Sequence, residues 1–579
     1  MNVQKFVPRI RTGILFCFFA LSTQAQKTFP ENCWGVYSWA GWNPEKVTKS
    51  SHPLIKGAPL ILKWSQIEPR PGVFNFDEQI GQKLKLLKDN DFYTFIMIWV
   101  APNSPRWLYE NGVPELEMTK TFNPLGEERN LTFPYYLDED YIRYYHRMLT
   151  EFGKYVKQLP NDLQSRILYI QSAEGSTGDG EGYKGKPLDP KYNITNEQWG
   201  TFRIKAWDIL KNALTDRNSG AGMVKPVLVN YDSNNGIQYN WLLDNFDVIG
   251  LKNGMFSHGY HISETNYRLQ NWQKFKEEVQ KRSKQFFSRG EQDGEWVVYG
   301  WSTKNPAQAF YWSSIFATHC GLDMWNVPAE ASEGKQFEPA LMFFNKYAGQ
   351  HNPETAQSAF CALQKGLDAS DTVSFPVAKY GEASRNNIAR YIKIAEEFKA
   401  FGAIQGDPEK AVGDGMLNRK RQDYNDVGWG IYPGNYSRFL TQIDPESTSI
   451  GWWHKGPSES VYSQFSRSIN TDNKSKAIYF DVDNAFLGKS KSIEVRVVWL
   501  DEGVAEWTLF YDALDNKNKK AFSIKNTNSG SWKEKTIILE DTFFNNRGEK
   551  NADIFIRTNG NGTAIFHLIE LNKKIQPFL

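Results

Sequence analysis

The chain has 579 residues, 40% of them hydrophobic and 23% charged, so it is long enough for two folded domains and is neither collagen-like nor wholly disordered. Its 68 Lys and Arg residues are balanced by 66 Asp and Glu residues, which excludes a net charge that would attract a nucleic-acid backbone. Aromatic residues make up 15% of the chain, more than packing requires, and this indicates surfaces on which rings stack against a ligand.

Residues 1–25 have the pattern of a secretory signal peptide. Basic residues between positions 5 and 11 precede an apolar run at 14–21, and a short segment of small residues then ends at Ala25. A membrane anchor is the alternative, but it needs about 20 apolar residues, roughly twice the length of this run. We therefore expect a secreted or periplasmic protein whose mature form has no membrane-spanning segment.

Three cysteines follow the signal peptide, at Cys33, Cys320 and Cys361. Their odd number and wide spacing argue against a disulfide framework, and both one bridge and three buried thiols remain open. The sequence has no C-x-x-C pair and no P-loop, and its G-x-G-x-x-G run at 180–185 does not directly follow a predicted strand. We expect neither a metal nor a cofactor.

Residues 26–345 alternate short apolar runs with amphipathic stretches, the pattern of β/α units around a parallel sheet. Eight runs predict strands at 33–39, 59–64, 93–100, 167–171, 226–230, 248–251, 285–288 and 322–326. Helical spacing of apolar residues predicts helices at 76–88, 140–157, 197–214, 264–284 and 307–319. About 300 residues with eight such units predict an α/β fold, a (β/α)₈ TIM barrel, whose reactive groups stand at the carboxyl ends of the strands.

Beyond the barrel, the pattern predicts a helical extension and connector at 346–424, with its clearest helix at 386–401, and an all-β domain at 425–579. Apolar alternation with a period of two predicts strands at 477–482, 492–500, 506–511, 536–539, 553–557 and 564–571. Such strands are typical of an antiparallel, jelly-roll-like sandwich. This domain either binds carbohydrate or supports the barrel, and aromatic residues that alternate along strands favour support.

Two glutamates stand at predicted strand ends. Glu174 follows the fourth strand and opens the Gly-rich loop 175–182, and Glu291 follows the seventh. Carboxyl groups on different strands suit hydrolysis of a glycosidic bond, in which one protonates the leaving oxygen and the other, ionised, attacks the anomeric carbon. Alternates are Asp179 and Glu181 for the acid and Glu295 for the nucleophile.

Three stretches resemble one enzyme family. Residues 64–77, WSQIEPRPGVFNFD, are similar to a W-x-x-x-E-P-x-x-G-x-[FY]-x-[FW]-D segment that follows the second strand of family 42 β-galactosidases. Residues 105–108 with 114–115 resemble that family's P-x-W-L…P-E segment, and residues 291–323 resemble its nucleophile strand and the approach to the eighth strand. Over about residues 34–330, the chain thus resembles retaining glycoside hydrolases of the large (β/α)₈ barrel clan, and among them the family 42 group.

The resemblance implies a secreted glycosidase in which Glu174 is the acid/base and Glu291 the nucleophile, acting on a poly- or oligosaccharide such as a β-galactoside or an algal or plant glycan. The chain departs from the family at Ala173, where the family has an Asn that binds the sugar 2-hydroxyl. This departure leaves open another sugar, an inverting enzyme with an acid loop similar to that of β-amylases, or a barrel that binds carbohydrate without cleaving it.

Further residues near the strand ends are candidate contacts to a sugar. Tryptophan rings can stack on a pyranose, polar side chains can bind hydroxyl groups, and cations can neutralise an acidic sugar, for which Arg106 and Arg289 are additional choices. The candidates are Trp39, Trp42, Lys63, Trp99, Trp107, Asp179, Asn230, Lys252, His258 and Trp325. For the tryptophans, packing in the core is the alternative.

Overall fold

The structure, a computed structural model, describes most of the chain after residue 27. The described residues are 28–39, 42–43, 45–102, 104–122, 128–129, 131–216, 222–230, 236–253, 265–292, 305–405, 426–469, 476–488, 490–560 and 562–574. Within these ranges no helix is both long enough and apolar enough to cross a membrane. The predicted signal peptide lies outside them.

Eight parallel strands of the described chain form one sheet, and each of the eight predicted runs overlaps one of them. They are β1 (Gly35–Ser38), β2 (Leu60–Lys63), β3 (Thr94–Trp99), β4 (Ile167–Gln171), β5 (Val227–Asn230), β6 (Val248–Asn253), β7 (Gln285–Glu291) and β8 (Met324–Val327). Their order in the sheet is β1–β8–β7–β6–β5–β4–β3–β2. Gly57 forms parallel bridges with Tyr37 in β1 and with Tyr93, just before β3. The sheet therefore curls in a manner consistent with a (β/α)₈ barrel.

Helices alternate with these strands, and five of the seven named below lie in stretches for which the apolar spacing predicts a helix. They are α1 (Gln82–Asp89), α2 (Glu139–Gln158), α3 (Asn196–Leu214), α4 (Gly236–Asn245), α5 (Thr265–Lys281), α6 (Pro306–His319) and α7 (Glu338–Tyr347). The start of α2 is fixed by Asp138, whose carboxylate accepts from two backbone N–H groups, and the start of α3 by a capping box between Thr195 and Gln198.

Side chains on the barrel strands alternate between two faces, because successive residues of a strand point to opposite sides. One face packs in an inner cluster whose members include Phe95, Met97, Tyr169, Leu228, Phe287 and Met324. The other face packs against the helices in a larger cluster that includes Ile96, Ile98, Ile170, Val227, Ile249 and Trp325. This alternation determines which strand-end residues face the inside of the barrel.

Apart from several two-stranded pairs, the remaining described strands are antiparallel and form two sheets. They are β9 (Ser358–Ala362), β10 (Tyr436–Arg438), β11 (Leu440–Ile443), β12 (Ile450–Lys455), β13 (Gln464–Ile469), β14 (Ala477–Val482), β15 (Ile493–Asp501), β16 (Glu506–Tyr511), β17 (Lys519–Lys525), β18 (Ser531–Leu539), β19 (Ile554–Thr558) and β20 (Ala564–Lys573). In the seven-stranded sheet β20 pairs with β9, β13 and β15, and the five-stranded sheet has the order β11–β14–β19–β16–β17. Both sheets contribute to one apolar cluster, so they pack as two layers.

The segment 346–424 differs from its predicted helical character. It contains the helices Val377–Tyr380 and α8 (Ile388–Phe398), but also β9, which pairs with the last strand of the chain. Sequence reasoning missed β9 because its apolar run SAFCA is short and shows no alternation. The predicted boundaries of the barrel, the connector and the sandwich stay predictions.

The barrel helices contact the sandwich directly. In α6, the Trp312 indole donates to the Ser463 carbonyl oxygen at 3.0 Å, and in α7, Lys346 pairs with Glu570 of β20 at 2.7 Å. The three cysteines after the predicted signal peptide are free and buried, which answers the question of a bridge among them. Burial raises the pKa of Cys33 and of Cys361 to about 12.

Candidate active site at the carboxyl end of the barrel

Glu291 is the last residue of β7, which extends three residues beyond the predicted run. It lies two residues after Arg289 and four after Phe287, a member of the inner cluster, so both charged side chains belong to the inner face. Glu291 is 7% exposed and Arg289 fully buried. The structure therefore places this predicted nucleophile inside the carboxyl end of the barrel.

Two cations hold the Glu291 carboxylate. Lys252 Nζ lies 2.6 Å from its Oε1, and an Arg289 NH2 group donates to Oε2 at 2.9 Å. Burial alone raises the pKa of Glu291, but the charges of Lys252 and Arg289 outweigh burial and hold that pKa below its usual value. Glu291 is thus ionised at neutral pH, as a nucleophile or a general base must be.

Asp179 shares Lys252 with Glu291. The Lys252 Nζ lies 3.0 Å from Asp179 Oδ1 and 2.6 Å from Glu291 Oε1, so the two carboxylate oxygens cannot be farther apart than the sum of these distances. Lys184 contacts the other Asp179 oxygen at 2.9 Å. Burial raises the pKa of Asp179, but the two lysines together lower it below its usual value. In turn, burial lowers the pKa of Lys252, and the two carboxylates more than reverse that effect.

The Gly-rich loop 175–182 carries Asp179 across the strand ends. Thr177 N–H donates to the Ala101 carbonyl oxygen at 2.9 Å, and the Asn230 amide donates to the Gly178 oxygen. Gly178 has a φ of +75°, and a Cβ there would lie 2.4 Å from the sulfur of Met97. Glycine is required at this position because both the backbone conformation and the close approach to β3 exclude a side chain.

Glu174, the predicted acid/base, lies on the opposite face. Ala173 packs in the inner cluster, so its neighbour Glu174 points toward the helices, where it is fully buried. Its Oε2 lies 3.1 Å from Arg203 Nε, and its Oε1 accepts from Ser172 and, at 2.9 Å, from the Trp207 indole. Residues of α3 therefore hold both carboxylate oxygens, Oε2 in a buried ion pair with Arg203 and Oε1 by a hydrogen bond from Trp207, away from the barrel interior.

Two of the predicted tryptophans lie at this end of the barrel. Trp39 follows β1, and its ring lies 4.4 Å from the Arg289 guanidinium carbon. Trp99 ends β3 on the inner face, is partly exposed, and its indole N–H has no hydrogen-bond partner among the described residues. Both rings are in a position to contact a ligand that reaches Glu291.

The other three predicted tryptophans lie in packed regions away from Glu291. Trp325 is fully buried on the outer face, where it stacks on Phe310 at 4.6 Å. Trp107 donates to the Glu68 carbonyl oxygen at 2.9 Å and is 6% exposed. Trp42 donates to the Val47 oxygen at 3.2 Å. Core packing, the alternative reading of these three residues, agrees with their surroundings.

Two of the polar side chains predicted to contact a sugar lie at the carboxyl ends of barrel strands. Lys63 is exposed at the carboxyl end of β2, opposite Trp99 in the strand register. Asn230 is 7% exposed at the end of β5 and holds the Gly-rich loop, as described above. His258 lies outside the described residues, and so does Glu295, the alternate nucleophile. Among the described residues, no group of three or more His, Cys, Asp or Glu could hold a metal ion.

Sequence reasoning left out Gln171 of β4 and Asn326 of β8, both on the inner face. Arg289 donates through Nε to Asn326 Oδ1 at 2.7 Å and through NH1 to Gln171 Oε1 at 3.0 Å. The signal that would have found them is the alternation itself, because Gln171 lies two residues after Tyr169 and Asn326 two after Met324.

No family model and no curated protein matches the sequence. Solved structures with a similar arrangement include the catalytic domain of a β-amylase from Paenibacillus polymyxa, at 10% identity over 55% of this chain and 98% of that chain, with a TM-score of 0.34. A GH30 endoxylanase from Clostridium papyrosolvens matches at 10% identity over 92% of this chain and 96% of that chain, with a TM-score of 0.29. A GH5-4 endoglucanase from Clostridium longisporum matches at 10% identity over 54% and 97%, with a TM-score of 0.35. Similarity at this level carries no argument about reaction or substrate.

Proposed function

We propose that the carboxyl end of the barrel is the active site of a glycoside hydrolase in which Glu291 attacks the anomeric carbon. The observation that carries this proposal is the ionised Glu291 on the inner face, with a second carboxylate, Asp179, on the same lysine. Retaining glycosidases place their two carboxyl groups about 5 Å apart, and inverting enzymes about 6.5–9.5 Å apart. The shared contact with Lys252 favours the shorter spacing and hence retention.

Asp179, which the sequence offered as an alternate, suits the acid/base role better than Glu174. A sugar that enters between Asp179 and Glu291 has to displace the Lys252 ammonium that now bridges them. Loss of that cation raises the pKa of Asp179 and allows it to carry a proton. Asp179 then gives this proton to the leaving oxygen as Glu291 forms the glycosyl ester, and it later takes a proton from the water that cleaves the ester.

A second function, a barrel that binds carbohydrate without cleaving it, is favoured by one specific observation. In the resting state, the pKa values of Glu291 and Asp179 are both lowered. Neither carboxyl group therefore holds a proton at neutral pH before a ligand binds. A barrel of this kind would use the same tryptophans and cations for recognition.

The sequence supports the finer parts of the proposal. The three resembling stretches favour an enzyme similar to the family 42 group, and the pattern of residues 1–25 favours export to the periplasm or the medium. The substrate is a poly- or oligosaccharide, with β-galactosides and algal or plant glycans as the first to examine. The near balance of charge argues against a nucleic-acid partner.

The experiment compares Glu291→Gln, Asp179→Asn and Glu174→Gln on natural glycans and on aryl glycosides whose leaving group needs no proton. We expect Glu291→Gln to abolish hydrolysis of both. Asp179→Asn should abolish hydrolysis of natural glycans but form the glycosyl enzyme from the activated aryl glycosides, because only the proton donor is lost.

Three outcomes would contradict parts of this proposal. The acid is Glu174 if Glu174→Gln, rather than Asp179→Asn, loses hydrolysis of natural glycans but still reacts with the activated aryl glycosides, and if its melting temperature is unchanged. If NMR of the first product shows inversion at the anomeric carbon, the mechanism is not retaining. If the unmutated protein cleaves no glycan but binds sugars, the protein is the non-catalytic barrel.

A further inference from the structure

Gln171 has an unpaired donor beside Glu291. The residue ends β4 on the inner face and is 2% exposed. Its Oε1 accepts from Arg289 NH1 at 3.0 Å. Because a guanidinium can only donate, this contact fixes which end of the amide is oxygen and turns the NH₂ group away from Arg289. The Gln171 Nε2 finds no hydrogen-bond partner among the described residues.

The position of this donor relates it to the reaction centre. Gln171 and Glu291 bond to neighbouring nitrogens of one guanidinium, NH1 and NH2, so the amide and the carboxylate lie side by side. Arg289 itself packs against the rings of Trp39 and Phe95, at 4.4 and 4.7 Å, and donates to Asn326. The amide is therefore oriented before any ligand arrives.

We infer that Gln171 Nε2 donates a hydrogen bond to a hydroxyl group of the sugar that Glu291 attacks, and thereby selects substrates that carry this hydroxyl. The inference rests on the proposed function and adds a specificity-determining residue to it. Buried N–H groups are almost always hydrogen-bonded in folded proteins, so an unpaired amide next to a reactive carboxylate indicates an acceptor that comes with the substrate. Ala173, two residues further along the same face, offers no polar group for this purpose.

The test uses 4-nitrophenyl glycosides of galactose, glucose and xylose, together with their monodeoxy analogues. Gln171→Met removes the donor and keeps the approximate volume, and Gln171→Glu keeps the acceptor for Arg289 while exchanging NH₂ for oxygen. We expect both variants to lower kcat/KM for the parent glycoside about tenfold to a hundredfold. For the one analogue that lacks the contacted hydroxyl, Gln171→Met and the unmutated protein should differ little. Gln171→Glu should lose less on this analogue than on the parent glycoside, and its remaining loss reflects the charge added beside Glu291.

Gln308→Met is the matched control. Gln308 is also a buried amide, but it lies in α6 and donates to the Ser460 oxygen at 2.9 Å. Its loss is expected to lower the melting temperature without changing the ratio of parent to deoxy substrates. This control separates the loss of a buried amide from the loss of a substrate contact.

The outcomes that overturn the inference are distinct. If the Gln171 variants lower kcat/KM equally for every analogue, Gln171 acts only by supporting Arg289. If they change no rate, the amide meets an internal water. If calorimetry shows that the protein binds the methyl glycosides but the protein hydrolyses nothing, the proposed reaction fails. The Kd values of the deoxy analogues, measured for the Gln171 variants and the unmutated protein, then decide the role of Gln171. If no sugar binds, both proposals fall.

Discussion

Replacing Lys252 by Met tests whether this lysine keeps Glu291 ionised. The ammonium lies 2.6 Å from Glu291 and 3.0 Å from Asp179, and its side chain is only 9% exposed. A partner charge at such a distance shifts a carboxyl pKa by about 1–3 units, and each unit corresponds to about 1.4 kcal/mol. In the pH profile of kcat/KM, the acid limb is the range in which the value falls as the pH drops. We therefore expect this limb to move up by about 1–3 pH units in Lys252→Met.

The same substitution has a defined effect on stability. The pKa of Glu291 is lowered in the folded protein, so its ionised form contributes stability that is present above the unfolded pKa of about 4.3 and is lost as the pH falls through the folded value. Without Lys252, this contribution shrinks, because only Arg289 still holds the buried carboxylate, and the loss is about 1–4 kcal/mol at neutral pH. The loss should shrink toward pH 4, where Glu291 is protonated in the variant.

Two assays measure these effects, the pH profile of kcat/KM on an aryl glycoside that the protein cleaves and urea unfolding between pH 3 and 8. Lys184→Met is the matched control, because Lys184 contacts Asp179 and Glu181 and should move the acid limb much less. An unshifted acid limb in a folded Lys252→Met protein would refute the reasoning that Lys252 sets the ionisation of Glu291.

Two further sets of substitutions test where side chains point. Arg203→Met leaves the buried Glu174 carboxylate without its cation and should cost about 3–5 kcal/mol in urea unfolding, and the double variant with Glu174→Gln should recover part of the loss. An unchanged unfolding free energy in the single variant would mean that Glu174 turns elsewhere. Trp99→Phe should lower kcat/KM about tenfold through the lost indole donor, while Trp325→Phe should cost about 0.5–3 kcal/mol of stability and leave kcat/KM alone. Equal kinetic effects of these two variants would remove Trp99 from the ligand contacts.

The positions of the barrel strands could be predicted from sequence because strands covered on both sides are continuous apolar runs. The direction of single side chains could not be read from the runs alone. Glu174 and Glu291 both follow apolar runs, but Glu291 is in phase with the inner residue Phe287, whereas Glu174 is out of phase with Tyr169. One residue of offset moves a carboxylate from the barrel interior into the layer of helices.

The conformation of loops and the contacts between residues far apart in the sequence could not be predicted either. The contact between Asp179 and Lys252 joins residues 73 positions apart through an irregular loop, and no local pattern encodes it. In the motif at 64–77, by contrast, the Trp64 indole donates to the Glu68 carboxylate at 2.8 Å, so this local stretch has a structural role. The short run of β9 gave no signal of its own, and its partner strand lies more than 200 residues away.

The central place of β20 sets the order in which the sandwich can be completed. This strand is the last of the described chain, and three strands pair with it, among them β9, more than 200 residues earlier. The seven-stranded sheet therefore cannot close until β20 has been synthesised, and the barrel helices that pack on it wait for the same event. Because pairing over such a separation is slow, we expect a late, cooperative folding step that deletion of β20 would prevent.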